Sequence, residues 1–359
     1  MLIFLIPCMT SFIVTFFIIP KIISFSDSGR LVARPGDRHS HVGKVPILGG
    51  VGIYAGVLFS LLIWGFSYEE ISFIEYTSKF NSLPSILIAL SIVFCIGLID
   101  DLLSLSPLKK LLGQIASILC IMFLGNMTIG NMQGVFGIFE MPYFASILFT
   151  AFVVVVITNS YNLIDGIDGL AGGIGLISSS IFGVMFILNN DIGFAVLSFS
   201  LSGSLLGFLR YNFHTARIFM GDTGSLVVGL ILAVLAIRLI NTGCYIPLEE
   251  HFYKIKGPFI SIVILAVPLF DTFRVFCIRS LAGYNPLKAD RNHIHHALLD
   301  LGYGHKKSSI ILYFFSILIF CFSYFLINLK QSLAIFILAV VVLIFMAFPF
   351  ILLHRRDSE

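Results

Sequence analysis

Charge is what this chain lacks. Only 11% of its 359 residues are charged while 58% are hydrophobic, and mean hydropathy is +1.02, against roughly 25% charged in a soluble domain. An ordinary soluble domain is excluded, and so are disorder, collagen and coiled coil: no long polar tract, G-x-y period or heptad repeat occurs, and 37 Phe would aggregate in water. Paired cysteines are also missing. Cys8, Cys95, Cys120, Cys244, Cys277 and Cys321 stand singly, with no CxxC, and read as apolar packing residues. The net charge of +3 makes no case for nucleic acid. No basic n-region and no A-x-A site mark the first apolar run as a cleaved signal.

What is present is a series of apolar runs. Crossing a hydrocarbon layer of about 30 Å takes about 20 residues at 1.5 Å each. Eleven segments meet this or nearly do: 2–24, 46–66, 84–101, 111–127, 142–159, 169–189, 192–210, 223–241, 257–279, 309–328 and 331–353. The eighth and ninth are the least clean, since Arg238 in the eighth must snorkel and the ninth contains Asp271 and Arg274, which read as an i,i+3 structural pair. The fold class is therefore an all-α polytopic membrane protein, one domain over residues 1–359, in a plasma (inner) membrane. With the N-terminus outside, 17 of the 22 Lys and Arg fall on the cytoplasmic side, leaving Lys79, Arg238, Lys254, Lys256 and Lys330 outside. An odd number of spans puts the C-terminus in the cytoplasm.

Polar side chains gather in the connections on that same side. Asp100-Asp101 closes the third span; adjacent carboxylates at a membrane boundary want a shared cation or proton, unless they simply form a solvated helix end. Lys110 follows where an ammonium would meet a metal-borne phosphate. Asn159, Asn162, Asp165 and Asp168 crowd a turn between two spans, with Gly166 and Gly169 supplying backbone freedom. Such side chains read a base or hold a metal, or else only make an Asx-rich turn. The Gly172-Gly173 pair opens the next helix, whose amides favour an anion. Asn212 and Asp222 lie in YNFHTARIFMGDTGS, where Asp222 is either a plain N-cap or a metal ligand beside flexible glycines; His214 reads as interfacial. Arg291, His293, His295 and His296 form a cationic and imidazole cluster suited to phosphate, since zinc would want further ligands that are not evident. Lys44 belongs to a first loop that is otherwise just a positive-inside loop.

Polar groups on one face, with plain outer loops, do not match a transporter, which places them near the midplane on broken helices. They suggest chemistry between a soluble nucleotide compound and a membrane-held phosphate. IDDLLSLSPLKKLLGQ (99–114), NSYNLIDGIDGLAGG (159–173), YNFHTARIFMGDTGS (211–225) and DRNHIHHALLDLG (290–302), in this order, resemble the signature segments of the polyprenyl-phosphate N-acetylhexosamine-1-phosphate transferases, enzymes of glycosyltransferase 4 type.

That resemblance, covering roughly residues 30–305, implies an eleven-span enzyme dependent on Mg²⁺, with Mn²⁺ as a substitute. It implies transfer of N-acetylglucosamine 1-phosphate from a UDP-sugar to undecaprenyl phosphate, releasing UMP, as the first membrane step of a cell-envelope polysaccharide. VPILGG (45–50) and HIHH (293–296) differ from the TPTMGG-like segment and three consecutive histidines of the peptidoglycan branch, which stays the alternative donor class. A lipid or nucleotide-sugar transporter is the alternative of another kind. By resemblance Asp222 and Asp101 bind the metal, with Asp100 and Asp101 at the metal or the incoming phosphate, Asn212 supports that site, and Asn159, Asn162, Asp165 and Asp168 line the uridine pocket. His293, His295, His296 and Arg291 hold the diphosphate and sugar, with Lys44 and Lys110 assisting; a homodimer is compatible with it. Because a phosphate monoester is already largely dianionic at pH 7, no strong base is needed. Direct attack by the lipid phosphate is favoured over a covalent aspartyl intermediate on Asp100 or Asp101.

Overall fold

The computed structural model describes residues 4–27, 45–71, 80–248, 251–284 and 292–358. Thirteen α-helices account for most of them: α1 Leu5–Asp27, α2 Gly49–Ile71, α3 Leu83–Leu103, α4 Pro107–Leu119, α5 Tyr143–Leu163, α6 Leu170–Leu188, α7 Ile192–Asn212, α8 Gly221–Thr242, α9 Gly257–Ile264, α10 Ala266–Leu281, α11 Ile294–Asp300, α12 His305–Ser323 and α13 Gln331–Ser358. Ten are long and apolar enough to cross a membrane, α4 with its π-helical continuation to Leu124, and a bent pair brings the number to eleven if it is counted as one broken span. The chain is a multi-pass membrane protein. Two antiparallel hairpins, β1 Asn131–Val135 with β2 Ile138–Glu140 and β3 Cys244–Leu248 with β4 His251–Ile255, join helices at the end remote from the polar clusters.

α8 is the axis of the bundle. Its sequence, SLVVGLILAVLAI, is apolar all round, as a helix with no lipid-facing stripe must be. It packs against α2, α3, α5, α6 and α9, and almost all of its residues are buried. Hydroxyls fasten the neighbouring α1, α2 and α7: Thr15 meets Ser204 at 2.9 Å and donates to the Gly52 carbonyl at 3.0 Å, and Ser60 meets Ser200 at 2.8 Å. In hydrocarbon, where apolar contact gives little preference for protein over lipid, such bonds and close packing of small residues hold helices together.

The ninth apolar segment departs from the expected single straight crossing over 257–279. It is two helices, α9 and α10, bent by 81°. Eight residues of α9 rise only about 12 Å, too little to cross alone. The break has a local cause: Pro268 has no N–H to offer the Ile264 carbonyl four residues earlier, and the Ser178 hydroxyl donates to that carbonyl instead at 3.1 Å.

Close approach of backbones fixes the polar end. The Gly49 and Gly50 amides donate to the Phe219 and Met220 carbonyls, each at 2.9 Å, and the Phe219 amide donates to Pro46 at 2.8 Å. A Cβ on Gly50 would stand 2.1 Å from the Gly224 nitrogen, so this crossing of α2 over α8 admits no side chain. Gly50→Ala should lower stability by about 1–3 kcal/mol, the usual cost of overpacking, and depress Tm in detergent. Gly130→Ala, where nothing lies within 4 Å of the new methyl, should leave Tm unchanged.

Candidate active site

The site is assembled from helix ends. α3 ends at Ser104, whose left-handed conformation (φ 52°) reverses the chain while its N–H donates to the Asp100 carbonyl; Pro107 then starts α4. This tight reversal carries Lys110, one turn into α4, back over the α3 carboxylates. Its Nζ lies 2.6 Å from Asp100 Oδ2 and also bonds Asp222 Oδ2 on α8. The second oxygen of Asp100 accepts the Leu105 N–H at 2.6 Å.

Asp101 closes the start of α8. The amides of Asp222 and Thr223 donate to its two oxygens at 2.8 and 2.9 Å, and the Thr223 hydroxyl adds a bond of 2.5 Å. Helix starts leave their first N–H groups orphaned, and Asp101 serves from another helix as the cap that α8 lacks locally. Asp222 is therefore not the N-cap that its position permits in the sequence: it lies inside the first turn, and its own amide is the capped one. Gly221, at φ 69°, turns the chain into the helix, and a Cβ there would meet Asp101 Oδ2 at 2.6 Å.

One oxygen from each of Asp100, Asp101 and Asp222 lies within 4.8 Å of the others. The Asn162 amide, at the end of α5, reaches toward Asp222 Oδ1 at 3.4 Å. Asp165, in the connection that follows, senses the same charge: burial first, then the charges of Asp222 and Asp101, push its carboxyl up to about 7. Three carboxylates thus stand together, and the one ammonium among them, on Lys110, reaches two, Asp100 and Asp222. A hard oxygen set with excess negative charge fits a divalent cation of the Mg²⁺ type.

Several residues expected beside the substrate have partners within the protein. Asn159 pairs with Gln114 of α4 through bonds of 3.0 and 3.3 Å and also donates to the Val155 carbonyl. Asn212 accepts the Gly169 N–H at 2.9 Å and donates to the Ile218 carbonyl at 2.8 Å, tying the α5–α6 connection to the α7–α8 connection. Asp168 accepts the Ala216 N–H at 3.1 Å and faces His305 Nδ1 of α12 at 3.2 Å. The space beside Gly173 is filled by Tyr313, whose hydroxyl bonds the Gly169 carbonyl. His214 is exposed, as expected of an interfacial residue.

The histidines approach the same connection from α11. His295 packs its ring edge against Gly166, where a Cβ would meet Nε2 at 2.3 Å, and its centroid lies 5.8 Å from His293 and 4.3 Å from His296. Burial, with His296 adding to it, pushes the His295 imidazole down to about 3, so it is neutral at physiological pH. Lys44 and Arg291 lie outside the described residues. Gln114, Thr223, His305 and Asp271 were not foreseen as partners of the site. Asp271 alone carried a signal, an acid in an apolar segment, and its pairing with Arg274 at 3.1 Å is as expected.

With this geometry in view, the comparison with known proteins is specific. Residues 83–240, which hold three of the four clusters, match the model of glycosyl transferase family 4. The decaprenyl-phosphate N-acetylglucosaminephosphotransferase of Mycolicibacterium smegmatis is 33% identical over 330 residues, covering 85% of this chain and 77% of the relative. The chain belongs to glycosyl transferase family 4. Other members at similar distance include the probable undecaprenyl-phosphate N-acetylglucosaminyl 1-phosphate transferase of Bacillus subtilis, 34% identical over 87% of this chain and 82% of that one. The undecaprenyl-phosphate alpha-N-acetylglucosaminyl 1-phosphate transferase of Escherichia coli K12 is 27% identical over 79% and 72%. These family members are phosphotransferases by name.

The raised Asp165 value has a consequence for stability. An unfolded Asp titrates near about 4, so the folded protein keeps a proton that the unfolded chain has lost. The stability this gives is full below about 4 and is lost as pH rises through about 7. Without divalent metal, Tm should therefore fall across this window, and Asp165→Asn should flatten the fall.

Proposed function

We propose that the protein transfers N-acetylglucosamine 1-phosphate from its UDP-sugar to undecaprenyl phosphate or a close polyprenyl homologue, releasing UMP. The observation that carries this reading is the cluster of Asp100, Asp101 and Asp222 around Lys110, within a chain whose relatives are named for this transfer. The site faces the cytoplasm of the plasma membrane, as the distribution of Lys and Arg favours. The whole chain acts as one membrane domain. The product starts a cell-envelope polysaccharide.

In the reaction an oxygen of the lipid phosphate forms a bond to the phosphorus that carries the sugar, and the bond from that phosphorus to the UMP oxygen breaks. One phosphoanhydride replaces another and no proton need move, so equilibrium lies near unity and UMP drives it backward. A bound Mg²⁺ supplies charge stabilisation at the transferring phosphoryl group. Asp222 and Asp100 would hold it, with Asp101 fixing the turn that presents Asp222. Lys110, held by both carboxylates, would offer its ammonium to a phosphate bound beside them. Asn162 and Asp165 border the cluster and suit the nucleotide side; Asn159, Asn212 and Asp168 shape the pocket through their partners. His293, His295 and His296, with Arg291 and Lys44, suit the diphosphate and sugar.

Detergent-purified protein should release UMP from UDP-N-acetylglucosamine only when undecaprenyl phosphate and Mg²⁺ are both present. Asp222→Asn should cut kcat about 10²–10³-fold, the scale of losing a main electrostatic stabiliser, with Tm close to wild type. Release from another UDP-sugar alone, including the muramoyl-pentapeptide donor, would move the pathway and keep the chemistry. Well-folded protein silent with every UDP-sugar would refute the transferase reading. A phospho-enzyme trapped from donor without lipid would replace direct attack by a two-step route.

A further inference from the structure

The transferase reading leaves one buried acid unexplained. Asp271 lies on α10, just past the bend, with none of its surface exposed. Its two oxygens are used differently. Oδ1 accepts from the Arg274 guanidinium at 3.1 Å and from the Ile294 amide, the first of α11, at 3.0 Å. Oδ2 meets Nδ1 of His293 at 2.8 Å. Arg274 also bonds the Asn292 carbonyl and lies 4.2 Å from the ring centroid of Phe350 on α13. The start of the histidine helix is thus held at three consecutive residues, Asn292, His293 and Ile294, by one buried ion pair.

A helix needs only a capping acceptor at its start, and a Ser or Asn would satisfy the Ile294 amide at lower desolvation cost. A buried carboxylate that also faces an imidazole nitrogen does something more. It fixes which nitrogen carries the proton. A carboxylate accepts only, so Nδ1 of His293 must donate, and in the neutral ring Nε2 is left with its lone pair. We propose that Asp271 is a positioning residue for the transfer reaction, acting through His293 by holding its ring orientation and its Nδ1–H tautomer while Arg274 holds Asp271. The inference rests on the transferase reading for its assay and on no other assignment within the site.

The asymmetry of the two oxygens makes the test selective. In Asp271→Asn the amide oxygen is required by the donors Arg274 and Ile294, so the NH₂ is driven toward His293. Nδ1 must then accept, and the neutral ring carries its proton on Nε2. Shape is retained and the tautomer is inverted. The wild type is assayed first for lipid-dependent and metal-dependent UMP release, so that a failure of the transferase reading appears there and not in the variant. Asp271→Asn should lower kcat by up to about 10⁴-fold, the loss seen where a histidine-orienting carboxylate is changed to its amide in another enzyme; because it also leaves the buried Arg274 without its counter-charge it should lower Tm, and kcat is read at a temperature where the variant is fully folded. Combined with His293→Gln, it should add less than about threefold to the loss from His293→Gln alone, because both changes act through the same ring.

Losses that multiply in the double variant would make Asp271 a structural residue independent of His293 and overturn the proposal. So would an Asp271→Asn enzyme within about threefold of wild type. Should Asp271→Asn fail to fold, His293→Asn carries the test: its amide takes the place of Nδ1, keeps the bond to Asp271 and removes Nε2. It should lose at least about 10²-fold, and activity near wild type would overturn the proposal.

Discussion

The structure depends on how the first turn of α8 is satisfied. α8 is the most enclosed helix of the bundle, and a helix buried at its start cannot leave its first amides without acceptors, each of which would cost about 1–3 kcal/mol. No residue just before α8 supplies a side-chain cap. Asp101 does so from α3, through both oxygens. That one contact draws the end of α3 against the start of α8 and leaves Asp100 and Asp222 beside each other with Lys110 between them. Fold and charge cluster therefore have one origin. Bringing Asp100, Asp101 and Asp222 together is unfavourable in itself; the capping bonds and Lys110 offset it in part, and a dication can offset the rest.

Much of this was legible in the sequence because membrane insertion makes strong demands on composition. Ten of eleven apolar segments are continuous helical crossings, and the clusters around Asp100, Asn162 and Asp222 converge, since each lies where a span ends. The bend at Leu265 was not legible. It results from Pro268 together with Ser178, a hydroxyl on a helix remote in sequence that satisfies the released carbonyl. The hairpins were not legible either, because strands of three to five residues are too short to leave a periodic pattern in the sequence.

Individual roles were harder to read than their location. Residue type placed Asn159, Asn212 and Asp168 near the site, but their amide and carboxylate groups are engaged with Gln114, Ile218, Gly169, Ala216 and His305. Polar residues at a crowded helix junction serve two masters, since the connections that present ligands also have backbone groups of their own to satisfy. Asp271 is the converse case. As an i,i+3 partner of Arg274 it looked self-contained, and only the fold, by carrying α10 past its bend to α11, brings it to His293.

The central claim is that the start of α8 is the divalent-cation site around which transfer occurs. Electron paramagnetic resonance titration of the detergent-purified protein with Mn²⁺ tests it most directly, since free and bound ion are counted without turnover. The account predicts one bound Mn²⁺ per chain, displaced by Mg²⁺ and lost in Asp222→Asn. Undiminished binding in Asp222→Asn would contradict it, because the metal would then be held somewhere other than the cluster that α3 and α8 build.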